Sequence, residues 1–329
     1  MAKIFVTRKI PSTALDTLMK SGNEVVVSDV DRALSAEELL EKAVGVDVLL
    51  SLLTDKIDGE VMDAIGPQLK LISNYAVGFD NIDVKAASER NIVVSNTPCD
   101  EVNEAVAEHT WALILALVRR VVEADEAIRR GAYHGWEPGI FLGRSLKGKT
   151  LGIVGLGRIG TMVAKRAKGF DMKVLYTKRS PEPEIEKELG VEFKSLDELL
   201  SLSDVVTVHV PLTDETKHMI NNETLGKMKK GSYLINTARG PVVKEDDLVS
   251  SLRDGHLAGA AIDVFDNEPV VNPELIGMEQ VVLTPHIASA TYESREKMGE
   301  MAIGAIMKVL SGEKPENIVN PDIWDNRRK

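Results

Sequence analysis

The feature that most constrains the fold is a glycine-rich turn between a predicted strand and a predicted helix. Residues Thr150–Val154 are mostly apolar, as a buried strand is, and Gly155-Leu-Gly-Arg-Ile-Gly160 follows at once. Apolar residues then recur at helical spacing at Met162, Val163 and Ala167. A strand, G-x-G-x-x-G and a helix form the context in which this motif binds a dinucleotide, because the glycines allow close approach to a pyrophosphate and the helix N-terminus offers free N–H groups. An ordinary glycine-rich turn is the alternative.

Composition excludes several classes of function. A net charge of −11 argues against a general binder of nucleic acid or anionic membrane. The only cysteine, Cys99, excludes an internal disulfide and is typical of a reducing compartment, and the N-terminal residues lack the apolar run of a signal peptide. The longest apolar run, Trp111–Val118, is too short to span a bilayer. We therefore expect a soluble, cytoplasmic protein that takes no part in nucleic-acid or membrane binding.

Strands and helices alternate along most of the 329 residues, which indicates two α/β domains. We predict two doubly wound parallel-sheet domains, a flavodoxin-like substrate domain and a Rossmann dinucleotide-binding domain, with a cleft between them. The last long predicted helix, Thr291–Leu310, returns the chain toward the first domain. The predicted substrate domain is therefore discontinuous, 1–99 plus 288–329, and the dinucleotide-binding domain is 100–287.

The region Glu101–Gly131 contains no proline and has the pattern of one long helix. Its apolar excess around Trp111 favours either a buried helix between domains or a dimer interface. The following glycine-rich segment holds three aromatic residues, including Trp136, and suggests an anchored loop. We expect a homodimer formed through the helix around Trp111 and the Trp136 loop.

Three charged or titratable residues follow predicted strands in the second half of the chain. Arg239 lies in Asn236-Thr-Ala-Arg-Gly240, Glu268 follows the strand near residue 260, and His286 follows Thr284-Pro285. Ligands of doubly wound sheets bind at the carboxyl ends of the strands, so these side chains can converge on one site. His209 also ends a strand and is a candidate ligand contact, whereas His109, inside the long helix, is expected to be a core or interface residue.

Arg239, Glu268 and His286 together supply what reduction of a 2-keto acid needs. An arginine can hold the carboxylate in bidentate fashion. A protonated histidine can donate a proton to the carbonyl oxygen as hydride arrives, and a neighbouring glutamate favours the protonated form. No metal is required, and the His, Cys and carboxylate spacings match no zinc or calcium pattern.

The motifs resemble those of the D-isomer-specific 2-hydroxyacid dehydrogenases over almost the whole chain. The resemblance is carried by Gly155–Gly160, Asn236–Gly240, Asp263-Val-Phe-Asp-Asn-Glu-Pro269 and Thr284-Pro-His-Ile-Ala288. Within that family, Val77-Gly-Phe-Asp-Asn-Ile-Asp83 and the Trp136 loop are most similar to glyoxylate/hydroxypyruvate reductases. The resemblance implies reduction of glyoxylate, and of hydroxypyruvate, by hydride transfer from NAD(P)H.

The resemblance also implies roles for individual residues. His286 would be the acid/base with Glu268 as its partner, Arg239 would clamp the substrate carboxylate, and Asp263 would hold the nicotinamide amide. The residues expected to contact substrate are Leu53, Val77, Gly78, Arg239 and His286. The residues expected to contact the cofactor are Gly155, Leu156, Gly157, Arg158, Ile159, Lys178, Arg179, Ser180, His209, Thr237, Ala238, Arg239, Asp263, His286, Ile287 and Ala288.

One departure from the usual NAD-binding pattern concerns the second strand of the dinucleotide domain. An acidic residue commonly ends that strand and binds the ribose 2′-hydroxyl. Here Lys173–Thr177 is followed by Lys178-Arg179-Ser180, and the first acid is Glu182. Two cations and a hydroxyl can bind a 2′-phosphate. We therefore predict that NADP(H) is preferred and that NAD(H) is possible, a solvated basic turn being the alternative.

Two other functions stay open at this point. Phosphoglycerate dehydrogenase, or a broad D-2-hydroxyacid dehydrogenase, would use the same residues on another side chain. A nucleotide-sensing protein similar to the corepressors of this family would bind the dinucleotide without turnover, and such proteins carry the same arginine, glutamate and histidine.

Overall fold

Two parallel sheets organise the chain in the computed structural model, which describes all residues from Met1 to Lys329. The chain divides into two units. Unit 1 comprises Met1–Val102 and Ala290–Lys329, and unit 2 comprises Asn103–Ser289. The predicted fold class, two doubly wound parallel-sheet domains, is confirmed.

Unit 1 is built on five strands that alternate with helices. They are β1 (Lys3–Val6), α1 (Ala14–Met19), β2 (Glu24–Val27), α2 (Ala36–Ala43), β3 (Val48–Leu52), α3 (Gly59–Ile65), β4 (Leu71–Tyr75), α4 (Val84–Glu89) and β5 (Val93–Ser95), and the chain returns to this unit as α13 (Tyr292–Ser311). The strand order β2-β1-β3-β4-β5, with every pair parallel, is that of a flavodoxin-like sheet. Its central strands β3 and β4 are buried almost throughout because helices cover both faces.

Unit 2 contains seven strands and the remaining helices. After α5 (Asp100–Val118), whose first turn belongs to unit 1, these are α6 (Val121–Arg129), β6 (Thr150–Val154), α7 (Arg158–Ala167), β7 (Lys173–Thr177), α8 (Pro183–Leu189), β8 (Glu192–Phe193), α9 (Leu196–Leu202), β9 (Val205–Val208), α10 (Asn222–Lys227), β10 (Tyr233–Asn236), α11 (Glu245–Arg253), β11 (Gly259–Ile262), α12 (Pro273–Ile276) and β12 (Val281–Leu283).

The strand order in unit 2 determines where a ligand can bind. All seven strands are parallel, in the order β12-β11-β10-β9-β6-β7-β8. The order reverses between β6 and β9, and a doubly wound sheet binds its ligand at the carboxyl ends of the strands beside such a reversal. Neighbouring residues of β6 face opposite cores, Ile153 one cluster and Val154 the other, so apolar layers cover both faces and leave the strand ends for function.

The single long helix predicted over Glu101–Gly131 is wrong. The structure has two helices, α5 and α6, separated at Arg120, whose φ of 55° is left-handed. The Arg120 guanidinium binds the Glu123 carboxylate and lies 5.4 Å from the ring centroid of Phe141. Helical periodicity cannot show a contact with Phe141, 21 positions further along the chain, so the pattern alone could not locate the break.

Of the two roles expected for the helix around Trp111, burial is the one that the Trp111 side chain shows. Its ring stacks on Phe170 at a centroid distance of 4.6 Å, its indole N–H donates to the carbonyl of Val163 at 3.1 Å, and the residue is only 5% exposed. Trp111 therefore belongs to the core of unit 2, and its side chain is not available to a second chain.

Candidate active site

The glycine turn has the geometry that the sequence predicts for a pyrophosphate site. Gly155 has a φ of 103°, and a Cβ there would lie 2.8 Å from the backbone of His209. A Cβ on Gly160 would lie 2.2 Å from the carbonyl oxygen of Gly155, so the start of α7 packs directly on the turn. These two positions therefore require glycine for close backbone packing.

Gly157 has a different reason to be glycine. It is the N-cap of α7, no side chain caps that helix, and a Cβ at this position would meet no atom within 4 Å. The helix start is thus an open cradle in which free N–H groups of Arg158 and Ile159 and the positive end of a ten-residue helix face outward. A phosphate group fits this arrangement, so the residues present suit a dinucleotide.

In the turn after β7, only part of the predicted phosphate-binding group is without an ion-pair partner in the protein. Lys178 forms an ion pair with Glu182, while Arg179 and Ser180 are exposed. The backbone N–H of Glu182 donates to the hydroxyl of the fully buried Tyr176 at 2.7 Å, which fixes the course of the turn. Burial, with a hydrogen bond to Glu186, raises the pKa of Tyr176 to about 12, so the phenol stays protonated.

His209, which follows β9, lies against the glycine turn. Its Nε2 is 2.9 Å from the hydroxyl of Thr207, and its backbone N–H donates to the carbonyl of Val154 at 2.7 Å. Burial lowers the pKa of His209 to about 3, so the ring is neutral at physiological pH. A neutral imidazole here adds no positive charge to the phosphate cradle.

The segment that carries Arg239 is held by its own strand-end asparagine. The side chain of Asn236 donates to the carbonyl of Arg239 at 2.9 Å and accepts from the N–H of Ala238 at 3.0 Å. A Cβ on the next residue, Gly240, would lie 1.8 Å from the carbonyl oxygen of Phe265, so this segment packs against the one that leads to Glu268. Thr237, between Asn236 and Ala238, is buried.

His286 and Glu268 form a direct pair. His286 Nδ1 lies 2.8 Å from Glu268 Oε2, and the other carboxylate oxygen accepts from the N–H of Phe265 at 3.0 Å. Burial alone would raise the pKa of Glu268, but the contact with His286, the N–H of Phe265 and the charge of Arg239 together hold it below 4.5. Because an ionised carboxylate only accepts hydrogen bonds, Nδ1 carries a proton, and Nε2 has no partner within the protein.

Asp263 lies beside this pair but faces inward. The family resemblance implies that it holds a nicotinamide amide. In the structure the residue is 0% exposed, and its carboxylate accepts hydrogen bonds from the backbone N–H groups of Ile287 and Ala288, both at 2.9 Å. Burial alone would raise the pKa of Asp263, and these bonds with those from His109 and Thr284 lower it instead. Asp263 thus anchors the segment that carries His286.

The predicted substrate contacts of unit 1 lie on loops that the side chains of asparagines hold in place. Leu53 is partly exposed after β3, and Val77 and Gly78 follow β4. Asn74, fully buried, donates to the carbonyl of Gly78 at 3.0 Å, and Asn96 donates to that of Val77 at 2.7 Å.

Asn81 completes the arrangement. Its amide donates to the carbonyl of Leu52 at 3.1 Å and to that of Asp55 at 2.9 Å, while its oxygen accepts from Asn74 at 3.0 Å. The loops after β3 and β4 are thereby joined. Sequence reasoning missed these asparagines, although an amide inside the apolar strand Leu71–Tyr75 is the signal that could have revealed Asn74.

His109 and Thr284 are two further residues that sequence reasoning did not place at the site. His109 is expected in a core or an interface, but its Nε2 lies 3.2 Å from the hydroxyl of Thr284, next to Asp263.

No group of three or more His, Cys, Asp or Glu side chains could hold a metal ion. None of the helices combines the length and apolarity needed to cross a membrane.

Comparison with known proteins defines the family. The family model described as "D-isomer specific 2-hydroxyacid dehydrogenase, NAD binding domain" matches residues 111–288. A glyoxylate reductase from Thermofilum pendens is 51% identical over 324 residues, which cover 98% of this chain and 95% of that protein.

Solved structures agree. A protein from Thermus thermophilus is 46% identical with a TM-score of 0.89, covering 96% of this chain and 99% of that one. An NADPH-dependent glyoxylate/hydroxypyruvate reductase from Sinorhizobium meliloti, in complex with citrate, is 30% identical with a TM-score of 0.83, and the match covers 100% of both chains.

The fold, the glycine turn and these similarities define an oxidoreductase that uses a nicotinamide dinucleotide. More particularly, the chain belongs to the D-isomer-specific 2-hydroxyacid dehydrogenase family. The resemblance stated from the motifs is thus confirmed.

Proposed function

We propose that this protein reduces glyoxylate, and hydroxypyruvate, to the corresponding 2-hydroxy acid. The observation that carries the proposal is the pair of His286 and Glu268, which leaves Nε2 of His286 as the one ring nitrogen available to a bound molecule. Relatives that share about half of their residues with this chain over nearly its full length are named glyoxylate reductases, which supports the choice of substrate.

His286 is proposed as the proton donor. A reduced nicotinamide held at the glycine turn would supply the hydride, and negative charge would develop on the carbonyl oxygen of the substrate. With both nitrogens protonated, His286 donates the Nε2 proton to that oxygen while Glu268 stabilises the imidazolium from the Nδ1 side. Afterwards the neutral ring keeps its Nδ1 proton toward Glu268, ready to be protonated again at Nε2.

Arg239 is proposed to orient the substrate through its carboxylate. Its guanidinium Nη1 donates to the neighbouring carbonyl of Ala238 at 2.7 Å, which limits the directions in which the fork can point. We propose that Leu53, Val77 and Gly78 contact the substrate as well. Loops held by Asn74, Asn81 and Asn96 would present fixed backbone groups, which costs less entropy on binding than ordering a mobile loop.

We further propose that NADP(H) is preferred over NAD(H). Arg179 and Ser180 are exposed at the end of β7, where a ribose 2′-phosphate would lie, and a guanidinium and a hydroxyl are groups that bind phosphate. Lys178 is engaged by Glu182, so it would contribute only if the phosphate displaced that carboxylate. Arg179 therefore carries most of the proposed preference for NADP(H). Because the Glu182 carboxylate lies near the same turn, NAD(H) can also be accepted.

A homodimer is the proposed assembly, with the interface shifted from Trp111 to the segment that follows α5. Helix α6 has an apolar stripe but no buried residue, and Ile128 on it is 63% exposed. The loop after α6 exposes Trp136 at 81% and Leu142 at 69%. Exposed apolar patches of this kind are typical of protein–protein interfaces, which supports the proposed dimer.

We also propose a reducing, cytoplasmic location, which suits the single cysteine, Cys99.

A substrate panel tests the proposed function. Glyoxylate, hydroxypyruvate, pyruvate and phosphohydroxypyruvate would each be titrated with NADPH and with NADH, and kcat/KM determined from the loss of absorbance of the reduced cofactor. We expect the highest value for glyoxylate or hydroxypyruvate with NADPH. A higher value for phosphohydroxypyruvate would favour phosphoglycerate dehydrogenase, and cofactor binding with no turnover of any acid would favour a nucleotide-sensing protein.

A further inference from the structure

The backbone at His286 is held in a conformation that needs support. Its φ of 53° lies in the left-handed region, which residues other than glycine enter rarely and at an energetic cost. The N–H of His286 donates to the carbonyl of Asp263 at 2.8 Å, and the N–H groups of the next two residues donate to the Asp263 carboxylate. The N–H groups of three consecutive residues therefore all donate to one buried residue, Asp263, through its backbone carbonyl and its carboxylate.

The Asp263 carboxylate is itself fixed by Thr284. The Thr284 hydroxyl lies 2.6 Å from Asp263 Oδ1 and must donate, because the carboxylate only accepts. That hydroxyl has used its single proton, so its contact with His109 Nε2 at 3.2 Å requires the ring nitrogen to be the donor. Directed hydrogen bonds thus run from His109 to Thr284 and from Thr284 to the Asp263 carboxylate, which also accepts from the amides of Ile287 and Ala288.

Helix α5 supports a second loop of the site through the adjacent residue. The hydroxyl of Thr110 donates to the carbonyl of Val106 at 2.8 Å, one turn earlier in the helix, and therefore accepts from the hydroxyl of Thr237 at 3.0 Å. Thr237 is two residues before Arg239. Neighbouring residues of one helix therefore contact the segments that carry Arg239 and His286.

We infer that His109 is a positioning residue, which acts through Thr284 and Asp263 to hold the left-handed backbone of His286 so that Nε2 keeps its aim while Nδ1 stays on Glu268. The inference rests on the proposed function, in which His286 gives a proton to the substrate. His109 itself need not touch substrate or cofactor for this role.

Matched variants test the inference. Thr284→Val removes the hydroxyl with little change of volume, and Thr284→Ser keeps it. His109→Leu removes the donor, and His109→Gln keeps an N–H. We expect kcat for glyoxylate reduction to fall about tenfold in Thr284→Val and His109→Leu, since a small misplacement of a catalytic group costs one to two orders of magnitude. Thr284→Ser and His109→Gln should stay within about threefold of the wild type.

Two readouts separate positioning from general stabilisation. The solvent deuterium isotope effect on kcat should rise in Thr284→Val and His109→Leu, because a misaimed proton donor makes proton transfer more rate-limiting. The dissociation constant of NADPH, measured by fluorescence titration, should change less than about threefold. A lower unfolding temperature with unchanged kcat and isotope effect would overturn the inference, and so would equal losses in Thr284→Val and Thr284→Ser.

Amide hydrogen exchange gives a readout that does not depend on turnover. In the protein without ligand, exchange of the amides of Ile287 and Ala288 should accelerate in Thr284→Val and His109→Leu, with the sheet strands unchanged. Unchanged exchange at these amides would overturn the positioning role. If the wild type reduces no 2-keto acid, the proposed function fails, and the exchange experiment still decides whether His109 orders the His286 segment.

Discussion

Glu268 Oε2 lies 2.8 Å from His286 Nδ1, and both side chains are about one quarter to one third exposed. The contact has two consequences. It fixes which imidazole nitrogen of His286 faces the protein and which faces a ligand. It also couples the orientation of His286, which follows β12, to that of Glu268, which follows β11. Both follow strand ends on the same edge of the sheet, where a doubly wound fold places chemistry.

The pair predicts a specific pH dependence of stability. The pKa of Glu268 is lowered in the fold, so the carboxylate contributes stability above its ordinary value of 4.5, and this contribution is lost as the pH falls through the folded pKa. Glu268→Gln should lower the free energy of unfolding by about 1 kcal/mol at pH 7, a modest figure because solvent partly screens the pair. Chemical unfolding at pH 7 and pH 4 should show the difference shrinking at the lower pH. A difference that grows on acidification would contradict the prediction.

The turn after β7 predicts opposite effects of two substitutions on cofactor choice. Arg179→Ala should reduce kcat/KM for NADPH about tenfold or more and leave that for NADH within about twofold, because only the 2′-phosphate needs the guanidinium. Glu182→Gln should instead favour NADPH, since it removes a carboxylate and releases Lys178. Steady-state kinetics with both cofactors measures the ratio. Equal losses for the two cofactors in Arg179→Ala would rule out phosphate recognition.

Two glycines of the turn after β6 should respond differently to alanine. At Gly157 a Cβ would meet nothing within 4 Å, so Gly157→Ala should fold normally but weaken dinucleotide binding at least about tenfold, because the methyl group occupies the cradle. At Gly160 the Cβ would lie 2.2 Å from a carbonyl oxygen, so Gly160→Ala should lose about 2 kcal/mol of stability. Thermal unfolding with fluorescence titration separates the two effects. Undiminished NADPH and NADH binding by Gly157→Ala would contradict the assignment of the cradle.

The exposed apolar residues of α6 predict that two copies of the chain associate through this helix. Ile128→Asp should shift the protein from dimer to monomer in sedimentation velocity, because it places a charge in an apolar interface. Val44→Asp is the matched control, since Val44 is 62% exposed and Ile128 is 63% exposed, and it should leave the dimer intact. A dimer unaffected by Ile128→Asp would place the interface elsewhere.

Local pattern was enough to predict much of this molecule. Alternating apolar strands and amphipathic helices gave the fold class, and the strand before Gly155 with the helix after Gly160 gave the dinucleotide turn. Residues directly after strands, such as Arg239 and His286, could be singled out because the topology of a parallel sheet brings strand ends to one edge.

What the pattern could not give depends on contacts between distant residues. Nothing in the sequence near His109 indicates that its ring reaches Thr284, 175 residues further on. The pairing of Lys178 with Glu182 depends on the path that the Tyr176 hydroxyl imposes on the turn. The local sequence around Trp111 is compatible with an interface or a core position, and the stacking on Phe170, 59 residues further on, decides for the core.

Substitution of His286 tests the central claim most directly. His286→Asn would be compared with the wild type by measuring kcat for glyoxylate reduction at saturating NADPH, together with the dissociation constant of NADPH. The account predicts that kcat falls by about two to four orders of magnitude, the range for loss of a general acid, while NADPH binding changes less than about threefold. Near-normal turnover in this variant would contradict the assignment of His286 as the proton donor.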